Sequence, residues 1–123
     1  MLTFICYTRC TTCKKAKAFL DNSDAVYETR DIKADNPTYE ELKSWFATSG
    51  LPIKKFFNTS GIQYKALNLK DKLPAMSEDE CLELLATDGM LVKRPLLVDS
   101  DLVLVGFNPG EWESAINAKK GTA

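Results

Sequence analysis

The sequence predicts an α/β fold in which a βαβ unit and a ββα unit share one mixed four-stranded sheet, with a helical subdomain inserted between them. Three observations predict it. Apolar, β-rich runs sit towards the two ends of the 123 residues. The middle carries two helix-start signatures, a Thr or Ser followed three residues later by Glu. Near the N-terminus an apolar run passes straight into Cys10-Thr11-Thr12-Cys13 and then a basic amphipathic stretch, the pattern of a strand turning into a helix.

The elements follow in order. Leu2 to Tyr7 is short and almost continuously apolar, as expected of a strand covered on both faces. Beyond the cysteine pair, Ala16, Phe19 and Leu20 recur at helical spacing up to a stop at Asp21-Asn22-Ser23. Val26 to Ile32 is β-rich and mixed in polarity, a second strand, and a strand–helix–strand unit of this length implies a right-handed parallel crossover. The inserted helical subdomain spans about residues 37–89. Thr38 and Glu41 form its first capping box, Leu42, Trp45 and Phe46 a buried stripe, and Gly50 the C-cap. A short helix follows Pro52 through Ile53, Phe56 and Phe57, and another piece carries Tyr64, Ala66 and Leu67. Ser77 and Glu80 make the second capping box, ahead of Leu82, Leu84 and Leu85 and a stop at Asp88-Gly89. The chain then returns to β. Leu96–Val98 and Leu102–Val105 flank Asp99-Ser100-Asp101, a tight hairpin, and a last helix bears Trp112 and Ile116. Lys119 to Ala123 are expected to fray.

The Cys10/Cys13 pair carries the chemistry. Residues three apart share a helix face with Cβ atoms roughly 5–6 Å apart. A disulfide needs about 3.5–4.5 Å, so reduced and oxidised forms differ by a small adjustment. Cys10 falls where the helix start offers unpaired N–H groups and positive dipole, which favour a thiolate. Arg9, Lys14 and Lys15 add positive charge nearby. Cys10 is the expected nucleophile and Cys13 the resolving thiol. Zinc is the competing use of a C-x-x-C pair, but structural zinc takes four Cys or His ligands. The chain has no histidine and its only other cysteines are Cys6 and Cys81. The Cys6, Cys10, Cys13 spacing also suits an iron–sulfur cluster, against which Cys6 lies in a predicted strand. No metal is expected, and Cys6 and Cys81 read as small apolar fillers.

Composition bounds the rest. At this length the chain is expected to be a single domain, residues 1–123, and a monomer. A net charge of −1 without a basic stripe argues against direct nucleic-acid binding. No apolar run reaches the ~18 residues that cross a bilayer, and the start lacks a leader's positive region, so no membrane and a cytoplasmic location are expected. Cytoplasmic thiols are kept reduced, so a reactive pair there would cycle rather than staple the fold.

The order βαβ, helical insertion, ββα is that of a thioredoxin-like sheet. Arg94-Pro95 stands just before its third strand, where the proline of such sheets is usually cis and lies beside the dithiol. A guanidinium there would lower the Cys10 pKa and bind an oxyanion in bidentate fashion. Thr11, Thr12, Arg94 and Pro95 are thus the expected substrate-binding residues, and Cys10, Cys13 and Arg94 the catalytic ones. At this point the chain resembles the arsenate reductase-like and Spx branch of the thioredoxin superfamily. The resemblance rests on Cys10–Ala16, on Lys54–Gly61, on Asp88–Pro95 and on Val105-Gly106-Phe107. It implies a nucleophilic cysteine at Cys10 and an arginine before a cis-proline at Arg94-Pro95.

The departures from that pattern separate two functions. Glutaredoxin-coupled arsenate reductases hold the oxyanion with three arginines, of which only Arg94 is matched. The other two positions carry Asn58 and Gly106, and their histidine four residues before the nucleophile is Cys6. Each missing charged contact forfeits about 1.5–3 kcal/mol. Cys13 has no counterpart in most of those enzymes. Spx-type regulators carry both the C-x-x-C and the arginine, although Gly50 to Tyr64 is longer and more apolar here than the matching Spx stretch. The resemblance therefore implies a thiol-redox protein that reduces a disulfide or a small oxyanion. It would hold no resident cofactor and would draw electrons from glutathione, glutaredoxin or thioredoxin. The alternative it implies is a redox-sensing transcriptional regulator that contacts the RNA polymerase α-subunit.

Overall fold

Alternation along the first strand explains how the sheet is seated. Leu2 and Phe4 face one layer of helices, and Ile5 is equally buried on the other side. In the computed structural model, which describes residues 1–121 (side chains through 119), this strand is β1 (Leu2–Cys6). It is followed by α1 (Thr11–Asp21) and β2 (Tyr27–Asp31), then, after the insertion, by β3 (Leu96–Asp99), β4 (Leu102–Val105) and α6 (Pro109–Gly121). The four strands form a mixed sheet in the order β2-β1-β3-β4, and the fold is the expected thioredoxin-like α/β one. β1 runs antiparallel to β3 with Phe4 opposite Leu97, and β3 antiparallel to β4 with Asp99 opposite Leu102. That register leaves Ser100 and Asp101 as a two-residue hairpin loop, as the acidic triplet predicted.

One face of this sheet builds the core. Leu2, Phe4 and Leu97 pack with Ala16 and Leu20 of α1 and with Trp112 and Ile116 of α6. The Trp112 ring is fully buried and meets Phe4 and Phe107 edge-on, at centroid distances of 6.1 and 5.1 Å. Its indole N–H donates to the Gly106 carbonyl at 3.1 Å, which satisfies the one polar atom that burial would penalise. Lys119, expected to fray, is held by Asp99 at 2.9 Å and Asp101 at 2.5 Å, and α6 continues to Gly121. Residues 122 and 123 of that expectation lie outside the described residues. Val26, placed in the second strand by its side chain, precedes β2 and is exposed.

The chain divides into two compact units. The first joins Met1–Arg30 to the segment from Arg94 onward, and the second is Asp31–Lys93. The second unit comprises α2 (Tyr39–Ser49), α3 (Ile62–Ala66), α4 (Leu69–Lys72) and α5 (Glu78–Leu85), with short 3-10 turns between them. Both capping boxes form: Thr38 Oγ1 accepts from Glu41 N while the Glu41 carboxylate accepts from Thr38 N, and Ser77 and Glu80 repeat the arrangement. Gly50 ends α2 at φ 67°, the left-handed cap its position predicted. Of the predicted stripe only Leu42 is buried, and Trp45 and Phe46 are half-exposed. α5 stops at Leu85, earlier than Asp88-Gly89, because Asp88 caps a separate 3-10 turn over Gly89–Leu91. There the Ile32 carbonyl presses so close that a Cβ on Gly89 would stand 2.0 Å from it. α4 had no clear sequence signal, since Leu69–Lys72 is a single turn with one buried residue.

Candidate active site

The end of β1 and the start of α1 create the site. Tyr7 O accepts from Cys10 N at 3.0 Å, which turns the chain and leaves Cys10 as the extended N-cap of α1. Its sulfur takes the role that a Ser or Asp oxygen plays at other helix starts, accepting the backbone N–H of Cys13 at 3.4 Å. Thr11 and Thr12, the first two helical residues, are exposed, and the Thr12 N–H also points at the Cys10 sulfur. One turn in, Cys13 faces inward and is only 3% exposed. Its Sγ accepts from the Tyr7 N–H at 3.4 Å.

The two thiols are driven apart electrostatically. Partial burial pushes the Cys10 thiol up, but it is outweighed by the Cys13 N–H, the Cys13 thiol, the positive charge of Arg94 and the Thr12 N–H. The outcome lies below the ordinary thiol value. Cys13 goes the other way. Burial raises it, the Tyr7 N–H offsets this in part, and the neighbouring Cys10 and Cys6 sulfurs add to the rise, to about 12. One group is biased towards ionisation and the other against it, the division a nucleophile and a resolving cysteine require.

Arg94 and Pro95 arrive from the far side of the insertion. The Arg94–Pro95 peptide is cis, Pro95 is buried, and the Pro95 carbonyl accepts from Gly106 N at 2.9 Å. Arg94 lies over the Tyr7 ring with its guanidinium carbon 5.3 Å from the ring centroid, a cation–π contact. Its charge reaches Cys10. Arg9, Lys14 and Lys15 are exposed on the rim, and the leading charge on the Cys10 thiol is that of Arg94. The sequence reading missed Tyr7, which both holds the Cys13 sulfur and carries Arg94. Its only signal was an aromatic side chain at the end of an apolar strand, three residues before the nucleophile. Cys10 and Cys13 meet across the first helical turn, and the charge of Arg94, expected from its place before the third strand, acts on Cys10.

All four cysteines are outside disulfides, and among the described residues no group of three or more Cys, Asp, Glu or His side chains is set to hold a metal ion. Cys81 is buried in the second unit, where burial first and then Glu80 and Glu78 push its thiol up. Among the described residues no helix is long and apolar enough to cross a membrane.

The sequence pattern of the ArsC family matches residues 6–115, which takes in every residue of this site. The chain belongs to the ArsC family. It is 53% identical to the YusI protein of Bacillus subtilis over 91% of this chain and 95% of YusI. It is 36% identical to the regulatory protein MgsR of the same bacterium, over 89% and 86% of the two chains. Among solved structures it superposes on an ArsC family related protein from Bacteroides fragilis with a TM-score of 0.90. The two are 57% identical, over 92% and 95% of their lengths.

Proposed function

We propose that this ArsC-family protein is a thiol–disulfide oxidoreductase that reduces a disulfide or a small oxyanion through Cys10 and Cys13. The observation that carries the reading is the opposite bias on the two thiols: Cys10 below the ordinary value at a helix N-cap, Cys13 buried at about 12. The Cys10 thiolate attacks a substrate sulfur, forms a mixed disulfide and expels a thiolate. Once Cys10 is bonded its negative charge is gone, and with it two of the influences that hold Cys13 protonated. Cys13 then loses its proton and attacks the Cys10 sulfur, which closes Cys10–Cys13 and releases the second thiolate. Glutathione, or a reductant of glutaredoxin or thioredoxin type, returns the two electrons. Arg94 stabilises the thiolate and faces an anionic substrate, Pro95 shapes the groove, and Thr11 and Thr12 line its exposed lip.

The test is the pH dependence of Cys10 alkylation, run beside a glutaredoxin-coupled assay on arsenate and on model disulfides. A midpoint below about 8.5, with turnover lost in Cys10→Ser, supports the reading. A midpoint at the free-thiol value and no reduction of either substrate would remove it.

One observation favours a second reading. Gly106, where the oxyanion-holding enzymes place an arginine, has φ 76°, a backbone region costly to any residue with a Cβ. The chain is thus poorly built for tight oxyanion binding, and it is similar to a regulatory protein along most of its length. The same dithiol would then act as a redox switch for binding the RNA polymerase α-subunit. Oxidation-dependent capture of that subunit supports this second reading, and equal capture by both redox forms counts against it.

A further inference from the structure

Cys6 is the last residue of β1, one position before the Tyr7 N–H that holds the Cys13 sulfur. It follows Leu2 and Phe4 on the same face of β1 and packs against the cluster to which α1 contributes Ala16 and Leu20, the helix face that Cys13 also occupies. The next residue's N–H, that of Tyr7, donates to the Cys13 Sγ at 3.4 Å. Standard bond lengths then place the Cys6 Cα within about 6 Å of that sulfur. The Cys10 sulfur accepts from the Cys13 backbone N–H at 3.4 Å, so Cys10 also lies beside Cys13. Cys13 therefore has two candidate partners, Cys10 at the start of its own helix and Cys6 across the junction of β1 and α1. The influence of Cys6 on the Cys13 thiol agrees with that placement.

We propose that Cys6 is a third redox thiol that exchanges with the Cys10–Cys13 disulfide to give a Cys6–Cys13 disulfide and a free Cys10. The inference rests on the Cys10–Cys13 chemistry argued above and deepens it. In the step, Cys6 gives up its proton and attacks the Cys13 sulfur. The Cys6–Cys13 bond forms as the Cys10–Cys13 bond breaks, and Cys10 leaves as a thiolate. No external oxidant or reductant enters, because one disulfide is traded for another. The leaving group is the favourable one, since a thiol of lower pKa departs faster and Cys10 is the sulfur held as a thiolate by the helix start and Arg94. The consequence is an oxidised protein whose disulfide is withdrawn beneath α1 while its nucleophile is again exposed, able to form a mixed disulfide with a second thiol partner.

Trypsin makes the test direct, because Arg9 lies between Cys6 and the other two thiols. Cleavage separates Met1–Arg9 from Cys10–Lys14. The full-length protein is oxidised with diamide for increasing times, blocked with N-ethylmaleimide at low pH, digested and mapped by mass spectrometry. A Cys10–Cys13 bond appears as the Cys10–Lys14 peptide lacking two hydrogens, and a Cys6–Cys13 bond as the two peptides linked. The expected result for wild type is the looped peptide first, then conversion to the linked pair with maleimide on Cys10. Cys10→Ser should still give the linked pair, and Cys6→Ser should lose it completely while keeping the loop. A loop with no linked pair, in wild type and in Cys10→Ser, overturns the exchange and leaves the oxidoreductase reading standing. A linked pair in Cys13→Ser but not in Cys10→Ser overturns it as well, since Cys6 then pairs with Cys10. Absence of both forms removes the exchange together with the reading beneath it.

Discussion

The Cys13 backbone N–H and the Cys10 sulfur meet at 3.4 Å across the first turn of α1, so the helix that presents the nucleophile also stabilises its charge. Arg94 adds to this from the bend just before β3. Replacing Arg94 with Met should move the alkylation midpoint of Cys10 to higher pH, and Arg94→Lys should restore part of the shift. The readout is iodoacetamide reactivity between pH 5 and about 9, a range that ends just past the ordinary thiol midpoint of about 8.5. An unchanged profile in Arg94→Met would show that the helix start acts alone.

The two thiols also couple stability to pH with opposite signs. The folded value of Cys10 is depressed, so its stabilisation is complete above the unfolded value of about 8.5 and is lost as pH falls through the lowered one. Cys13 is raised, to about 12, so its contribution is complete below about 8.5 and is lost as pH climbs towards that value. In reducing buffer, wild type should gain stability relative to Cys10→Ser as pH rises through neutrality. Relative to Cys13→Ser it should lose stability above about pH 8.5. Urea titrations of the three proteins at several pH values check both slopes.

Trapping separates the roles of the pair. Cys13→Ser should accumulate a Cys10 mixed disulfide with glutathione, visible in intact-protein mass, whereas wild type resolves it. If both proteins retain the adduct equally, Cys13 does not resolve.

Gly106→Arg would supply the side chain that the resemblance to arsenate reductases implies at this place. Because Gly106 has φ 76°, the substitution should cost about 1–2 kcal/mol and leave arsenate turnover no higher. Denaturant midpoints and the coupled assay report the two outcomes.

In the second unit, Gly89→Ala sets a Cβ 2.0 Å from the Ile32 carbonyl and 2.7 Å from Asn36 Oδ1. A loss of about 1–3 kcal/mol is expected, the scale of overpacking. Thr38→Ala removes one hydrogen bond of a capping box and should cost about 1 kcal/mol.

Much of this was legible because the deciding signals are local. Both capping boxes, the Gly50 cap and the Ser100-Asp101 turn each involve residues within a few positions of one another. The Cys10–Cys13 pair is equally local. The pairing of β3 with β1 joins distant segments; the order of elements and the family resemblance point to a mixed four-stranded sheet without naming that pair. What escaped is set by backbone geometry or by packing. Tyr7 acts through its N–H, which no residue type advertises, and the positive φ of Gly106 is one of many states open to glycine. The half-exposure of Trp45 and Phe46 shows the limit of periodicity, which selects a helix face without saying how deeply it is covered. Arg9, Lys14 and Lys15 show a related limit: nearness in sequence puts them at the rim, while Arg94, some eighty positions later, supplies the leading charge on the sulfur.

The chain has two tryptophans, and each compact unit holds one: fully covered Trp112 in the first, half-exposed Trp45 in the second. Fluorescence therefore comes ready-labelled. A Trp45→Phe protein glows only from the sheet that carries the sulfurs, a Trp112→Phe protein only from the helices between, so the melting of each can be watched by its own colour shift.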